Sequence, residues 1–152
     1  MSEELTEEAA AALNSALRAE NAAVWTYELV TAFVSGEQVR AAVEEATGVH
    51  ERHRDEAQRV IRGTGAAPPA ASPAYSLPDP VTDEGSAIRA LIAAERDCQI
   101  GWRAVLERTE PDADPAVRRT ALGALTTAAT RATRWRLTIG QTPAAEPEPG
   151  KP

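Results

Sequence analysis

The sequence predicts an all-α protein, a four-helix bundle in which two antiparallel helical hairpins are joined by one long crossover. Four long segments repeat apolar residues at steps of three and four, which places them on one face of a helix, and no segment alternates with period two. Short breaks separate segments one and two, and segments three and four, whereas a long proline-rich stretch separates the middle pair. A length of 152 residues suits one such domain.

The first hairpin is predicted from two apolar stripes on either side of a glycine turn. The first helix is expected from about Thr6 to Val34, and Gly36 supplies the turn into a second helix that ends near Arg62. The inward stripe of the first helix holds Leu13, Leu17, Glu20, Val24, Tyr27, Thr31 and Val34. The stripe of the second holds Val39, Val43, Ala46, His50, His53, Ala57 and Val60.

The stretch from about residue 64 to 83 determines the topology. Its prolines favour an extended, non-helical chain: Pro68, Pro69, Pro73, Pro78 and Pro80. Such a chain reaches roughly 60 Å at ~3.3 Å per residue, whereas each helix is roughly 40 Å long at ~1.5 Å per residue. The connector can therefore run the whole length of the bundle, which predicts the ferritin-like arrangement with one crossover.

The second hairpin follows the crossover. A third helix is expected from about Asp83, with Ile88, Ile92, Glu95, Gln99, Trp102 and Leu106 turned inward. Asp114 is a suitable N-cap and Pro115 a suitable first residue for a fourth helix that ends near Ile139. Its inward stripe holds Val117, Ala121, Leu125, Ala128, Ala132, Trp135 and Ile139.

The ends and the composition bound the remaining questions. Residues 1–140 are predicted to form the bundle and residues 141–152 a disordered Pro-rich tail. Sixteen basic against 23 acidic residues give a net charge of −7, which disfavours nucleic acid and anionic membrane surfaces as partners. The acidic N-terminus without an apolar run predicts no signal peptide, and no window has the ~18 apolar residues of a membrane span. We expect a cytoplasmic protein.

Two glutamates fall on the inward stripes near mid-bundle. Glu20 lies 15 residues before Ser35 and His50 lies 15 residues after it, so these two side chains should share one level. Glu95 lies 16 residues before Pro111, which places it at a comparable level in the second hairpin. A buried, unpaired carboxylate costs several kcal/mol, so each glutamate needs a metal, a cation or a proton.

The spacing of the other candidate ligands argues against a di-iron centre. A bundle di-metal site takes one Glu from each of two helices and a Glu-x-x-His pair from each of the other two. The second helix has His50 and His53 at that spacing, with His where Glu is expected, and the fourth has Arg131 and Arg134. A guanidinium cannot ligate a metal and repels one nearby.

Three interpretations follow. In the first, Arg131, Arg134 or a protonated His50 neutralises the glutamates, no cofactor is bound, and the protein acts by association or binding. In the second, the protein is a metal-dependent oxidoreductase with a mono- or dinuclear centre. The metal, iron, manganese or zinc, is held by Glu20, His50 and Glu95. His53 is a further candidate ligand, and Tyr27 lies nearby. The third is a small-molecule binder with a Glu/Arg-lined pocket between helices. Arg131 and Arg134 favour the first interpretation, in which the protein has no enzymatic activity.

The chain also resembles a family of ferritin-like bundle proteins of unknown function from high-GC bacteria, the DUF4439 domain. The resemblance lies in residues 17–27, 50–55, 73–78, 95–102 and 131–135. It implies a ferritin-like fold and a homodimer, and it supplies no activity. Asn21 stands where the family commonly has His, and His53 where it favours Arg.

Overall fold

The computed structural model describes residues 4–152 and confirms the all-α four-helix bundle. The helices are α1 (Glu7–Val30), α2 (Glu37–Gly63), α3 (Glu84–Arg108) and α4 (Pro115–Thr138). No β-strand occurs within residues 4–152.

Local hydrogen bonds explain where the helices begin. The Thr6 hydroxyl caps α1 by accepting a hydrogen bond from the Ala9 amide at 3.1 Å. A reciprocal capping box starts α3: the Asp83 carboxylate accepts from the Ser86 amide at 2.8 Å, and the Ser86 hydroxyl accepts from the Asp83 amide at 3.0 Å. These two starts match the predicted positions.

Two details of the predicted helix ends are corrected. α1 ends at Val30 and not at Val34, because the chain turns after Val30 so that Val34 enters the core just before Gly36, whose φ is 74°. Asp114 does occupy the N-cap position of α4, but its carboxylate accepts from the Glu110 amide at 3.0 Å and makes no cap hydrogen bond. Its side chain therefore stabilises the turn before α4.

The contacts between helices define the topology. α1 packs between α2 and α3, and α3 packs between α1 and α4. Gly101, in the second half of α3, lies against Ala16 in the first half of α1. The Ser35 amide, just beyond the end of α1, donates to the Glu84 carboxylate at the start of α3 at 3.1 Å, so α1 and α3 are antiparallel. The crossover of residues 64–83 consequently returns the chain along the bundle, and α2 and α3 run in the same direction.

Two apolar clusters fill the interior. One surrounds Leu13, Leu17 and Val105 toward the end where α1 begins, and the other surrounds Val30 and Leu91 toward the end where it finishes. No helix in residues 4–152 combines the length and apolar character needed to cross a membrane.

Residues 141–152 follow α4 without regular secondary structure. Arg136 donates to the Glu146 carboxylate at 2.7 Å, and Arg103 donates to the Pro149 carbonyl at 3.2 Å. The division of the chain at residue 140 into a bundle and a disordered tail stays a prediction.

Candidate functional site

A polar centre lies between the two apolar clusters, where α1, α2 and α3 face one another. The His50 imidazole of α2 has Nδ1 2.6 Å from the Glu20 Oε2 of α1 and Nε2 2.7 Å from the Glu95 Oε1 of α3. All three side chains are fully enclosed. The structure thus brings together the three residues that the distances from the turns predicted to share a level.

Three aromatic residues extend this centre into a continuous hydrogen-bonded chain. The Tyr27 hydroxyl donates to Glu95 Oε1 at 2.6 Å, and the Trp135 indole donates to the Tyr27 oxygen at 2.8 Å. On the other side, the Trp102 indole donates to Glu20 Oε1 at 2.7 Å. The sequence placed Tyr27 nearby, whereas the two indole contacts were not predicted, although both tryptophans lie on inward stripes.

The surroundings of His50 favour its charged form. Burial alone would lower the pKa of His50, but the charge of Glu95, the neighbouring Cys98 and the hydrogen bonds with Glu20 and Glu95 raise it well above 6.5. Burial would raise the pKa of Glu20, but the hydrogen bonds from His50 and Trp102, the nearby His53 and the charge of His50 outweigh it and lower the value from 4.5 to about 2. The centre is therefore an imidazolium held between two carboxylates.

Tyr27 remains a neutral donor in this environment. Burial, the negative charge of Glu95 and the hydrogen bond to that carboxylate all raise the pKa of Tyr27 well above 10.0. The phenol therefore stays protonated and donates a hydrogen bond to Glu95, which stabilises the carboxylate without adding charge.

Arg131, Arg134 and His53 occupy different places around the centre. Arg131 Nε lies 3.5 Å from Glu95 Oε1, with 9% of the Arg131 side chain exposed. Arg134 is exposed and forms no ion pair with either glutamate in the described part of the chain. His53 Nδ1 lies 3.6 Å from Glu20 Oε1, and 22% of its side chain is exposed, so it borders the centre from outside.

Two buried polar atoms of this region have no hydrogen-bond partner within residues 4–152: Glu95 Oε2 and Arg131 Nε. A buried polar atom without a partner costs about 1–3 kcal/mol. The geometry of 3.5 Å between Arg131 Nε and Glu95 Oε1 provides charge attraction but no hydrogen bond. The contact between α4 and Glu95 is consequently less well satisfied than the hydrogen bonds that His50 makes with the two glutamates.

Cys98 adds a possible ligand that the sequence did not single out. One donor atom each from Glu20, His50 and Cys98 lies within 4.8 Å of the others. Carboxylate, imidazole and thiolate are all ligands of zinc and iron. Burial raises the pKa of the Cys98 thiol, which a metal would have to overcome to bind it as a thiolate. Sequence reasoning missed Cys98 because a lone cysteine on an apolar stripe is most simply a core residue.

Comparison with known proteins identifies the family. The profile described as "Domain of unknown function (DUF4439)" matches residues 12–152. The chain belongs to this family. Comparison with curated proteins finds no match.

A solved structure extends the family assignment to the fold. The chain is similar to a conserved hypothetical protein, rv2844, from Mycobacterium tuberculosis, at 34% identity and a TM-score of 0.81. The match covers 88% of this chain and 98% of the other. The profile thus supports the family resemblance, the solved structure supports the four-helix bundle, and neither names an activity.

Proposed function

We propose that this protein is a ferritin-like bundle without a competent di-iron centre, which acts by association or binding and not by metal chemistry. One observation carries the proposal: both ring nitrogens of His50 are engaged, one by Glu20 and the other by Glu95. An imidazolium in that position supplies the positive charge that a metal would otherwise supply. A protonated ring also has no lone pair with which to ligate a metal.

The charges around the centre support the same conclusion. Glu20 and Glu95 carry two negative charges, and the His50 imidazolium and the Arg131 guanidinium carry two positive ones. Side chains of the protein alone therefore balance the charge. A divalent cation would add two charges beside a fixed guanidinium, which opposes its binding.

A second candidate is a metal-dependent oxidoreductase, and the convergence of ligands favours it. Glu20, His50 and Glu95 meet at hydrogen-bond distance, and Cys98 brings a thiol close to the first two. Deprotonation of His50 would free one nitrogen for a mononuclear ion. Tyr27 would then lie beside a metal ligand as a phenol hydrogen-bonded to Glu95.

Metal analysis decides between the two candidates. Protein purified without chelator and dialysed against iron, manganese or zinc is expected to hold far less than one ion per chain by elemental mass spectrometry. Co²⁺ serves as an optical probe, because ligation by Cys98 would produce a thiolate charge-transfer band that Cys98→Ser abolishes. One ion per chain, lost in Glu20→Gln and kept in the surface control Glu107→Gln, would overturn the proposal.

Association of two copies is the kind of binding that the family resemblance suggests, and α4 offers a surface for it. Leu122 and Leu137 on α4 are the exposed large hydrophobic residues of the described chain, at 56% and 66% exposure. Sedimentation analysis is expected to show a dimer that Leu122→Gln with Leu137→Gln converts to a monomer. A monomeric parent chain would contradict this part of the proposal.

The location and the remaining partners belong to the same proposal. A net charge of −7 supports a protein that does not bind nucleic acid. A cytoplasmic location is the other part of this proposal.

A further inference from the structure

A groove of about 310 Å³ runs between α2 and α4 at the level of the polar centre. The backbones of α2 and α4 come close at only a few points in the described part of the chain, whereas α1 packs closely along α2 and α3, and α3 along α4. Glu45 and Val49 of α2 form one wall, and Arg131, Arg134 and three threonines of α4 form the other. The volume falls within the range of small-molecule sites, ~300–1,000 Å³.

Arg131 is the unusual member of the groove lining. Its side chain is nine-tenths buried, and Nε has no hydrogen-bond partner within residues 4–152. A guanidinium has five N–H donors, and in Arg131 the one on Nε is the donor that is both buried and unpaired among the described residues. Its one ion pair, with Glu95 at 3.5 Å, is too long for a hydrogen bond. Because Arg131 lines the groove, an acceptor that enters it would meet the terminal guanidinium nitrogens, while Nε stays turned toward Glu95.

The threonines determine what kind of acceptor suits the groove. Thr126, Thr127 and Thr130 each donate their hydroxyl proton to the carbonyl four residues earlier, at 2.8–2.9 Å. Their hydroxyl protons are therefore already used, and the side-chain donors that remain belong to Arg131 and Arg134. The groove lining thus holds two guanidinium groups, of which Arg131 also faces the buried Glu95 carboxylate, and one carboxylate, Glu45.

We propose that the groove between α2 and α4 binds a small organic anion, a carboxylate or a phosphate, through the guanidinium groups of Arg131 and Arg134. Planar guanidinium groups bind both kinds of oxyanion, often with two parallel hydrogen bonds. Arg131 receives the anion at the inner end of the groove, and Arg134 holds it at the solvent side. The inference rests on the proposed function, since it names the ligand class of a bundle that acts by binding.

Titration with known anions tests the site directly. Sodium citrate represents the carboxylates and sodium phosphate the phosphates, with sodium chloride at equal ionic strength as the reference. The readout is the Nε–H signal of Arg131 in the NMR spectrum of ¹⁵N-labelled protein, assigned by its loss in Arg131→Lys. A saturable shift with citrate, with phosphate or with both, and none with chloride, is the expected result. The anion that causes the shift shows whether the groove binds carboxylates, phosphates or both.

Three exposed or rim positions provide the matched variants. Arg134→Gln should weaken binding roughly three- to tenfold, as expected for one charge-assisted hydrogen bond at a partly solvated site. Glu45→Gln should strengthen binding about twofold, because it removes the negative charge that repels the anion. Arg119→Gln, on an exposed position of α4 outside the groove, should leave binding unchanged.

Several outcomes would overturn the inference: no saturable shift with either anion, equal weakening by Arg134→Gln and Arg119→Gln, or weaker binding after Glu45→Gln. The last result would show that the Glu45 carboxylate does not oppose the anion, contrary to the proposed site. These failures are separate from that of the proposed function, which depends on metal content. A metal-free protein with an unresponsive groove refutes only the anion site, and a metal-loaded protein refutes the proposed function whatever the groove binds.

Discussion

The two seams of the bundle differ in how closely their helices approach. Along the α1–α3 seam the backbones nearly touch: a Cβ built on Gly101 would lie 2.9 Å from the Cα of Ala16. Along the α2–α4 seam the helices stay apart, and arginine and threonine side chains line a groove. The difference indicates that α1 and α3 provide the close packing of the bundle, whereas α2 and α4 leave room for a ligand.

The polar centre connects these two regions. His50 belongs to α2, yet both of its ring nitrogens bond to carboxylates on α1 and α3. Arg131 belongs to α4 and faces Glu95 from the groove. The four helices are thus tied at mid-bundle by charge, and the following predictions separate that contribution from apolar packing.

Removal of the His50 side chain should have the largest effect. His50→Leu leaves Glu20 and Glu95 buried without the imidazolium between them, and breaking a buried ion pair costs about 3–5 kcal/mol of unfolding free energy. Urea denaturation of metal-free protein near pH 6 measures it. His53→Leu is the matched control on the same helix, and should cost less than about 1 kcal/mol because His53 is partly solvated. Equal effects of the two changes would show that the centre does not tie α2 to the bundle.

Acid should weaken the same centre. The folded pKa of Glu20, about 2, lies below its ordinary value of 4.5, so the unfolded chain binds the proton more readily. The contribution of Glu20 is therefore complete above pH 4.5 and is lost as the pH falls toward 2, by about 3 kcal/mol. Denaturation midpoints over this range measure the loss, and Glu20→Gln should reduce the slope. A slope unchanged by Glu20→Gln would assign the acid sensitivity to other carboxylates.

The loss of stability at high pH comes from His50, whose pKa shifts in the opposite direction to that of Glu20. The folded pKa of His50 lies well above 6.5, so its contribution is complete below pH 6.5 and is lost as the pH rises through the folded value. Stability from the polar centre should therefore be greatest between the two ordinary values, 4.5 and 6.5.

A change at the close seam should have a smaller effect. Gly101→Ala adds a methyl group against the Ala16 backbone, and overpacking of this kind costs about 1–3 kcal/mol, reduced by the better helix propensity of alanine. Gly123→Ala on α4 is the matched control, because a Cβ there meets no atom within 4 Å. It should stabilise the protein by about 0.5–1 kcal/mol. Stabilisation by both changes would show that the close approach at Ala16 relaxes easily.

A substitution at the α2–α4 seam should have the smallest effect on stability. Arg134→Gln alters an exposed side chain, so the free energy of unfolding should change by less than about 0.5 kcal/mol. The same variant should nevertheless weaken anion binding, so denaturation and NMR titration together separate a binding role from a structural one. A large loss of stability would indicate that Arg134 supports the fold.

The sequence by itself determined the helices, their order and the approximate level of each polar residue along the bundle axis. Periodicity and turn residues placed the helix limits within a few residues, and distances counted from the turns placed Glu20 and His50 opposite each other. These properties depend on local geometry, since rise per residue and turn chemistry follow from the chain itself.

Tertiary structure decided which side chains meet. Arg131 and Arg134 were equivalent candidates, yet Arg131 faces Glu95 and Arg134 faces solvent, because residues three apart on a helix differ in direction by about 60° and packing sets the rotation. The indole donor from Trp102 and the position of Cys98 beside His50 likewise depend on how α3 meets α1 and α2. Periodicity assigns a residue to a face, and only the packed helices determine its partner.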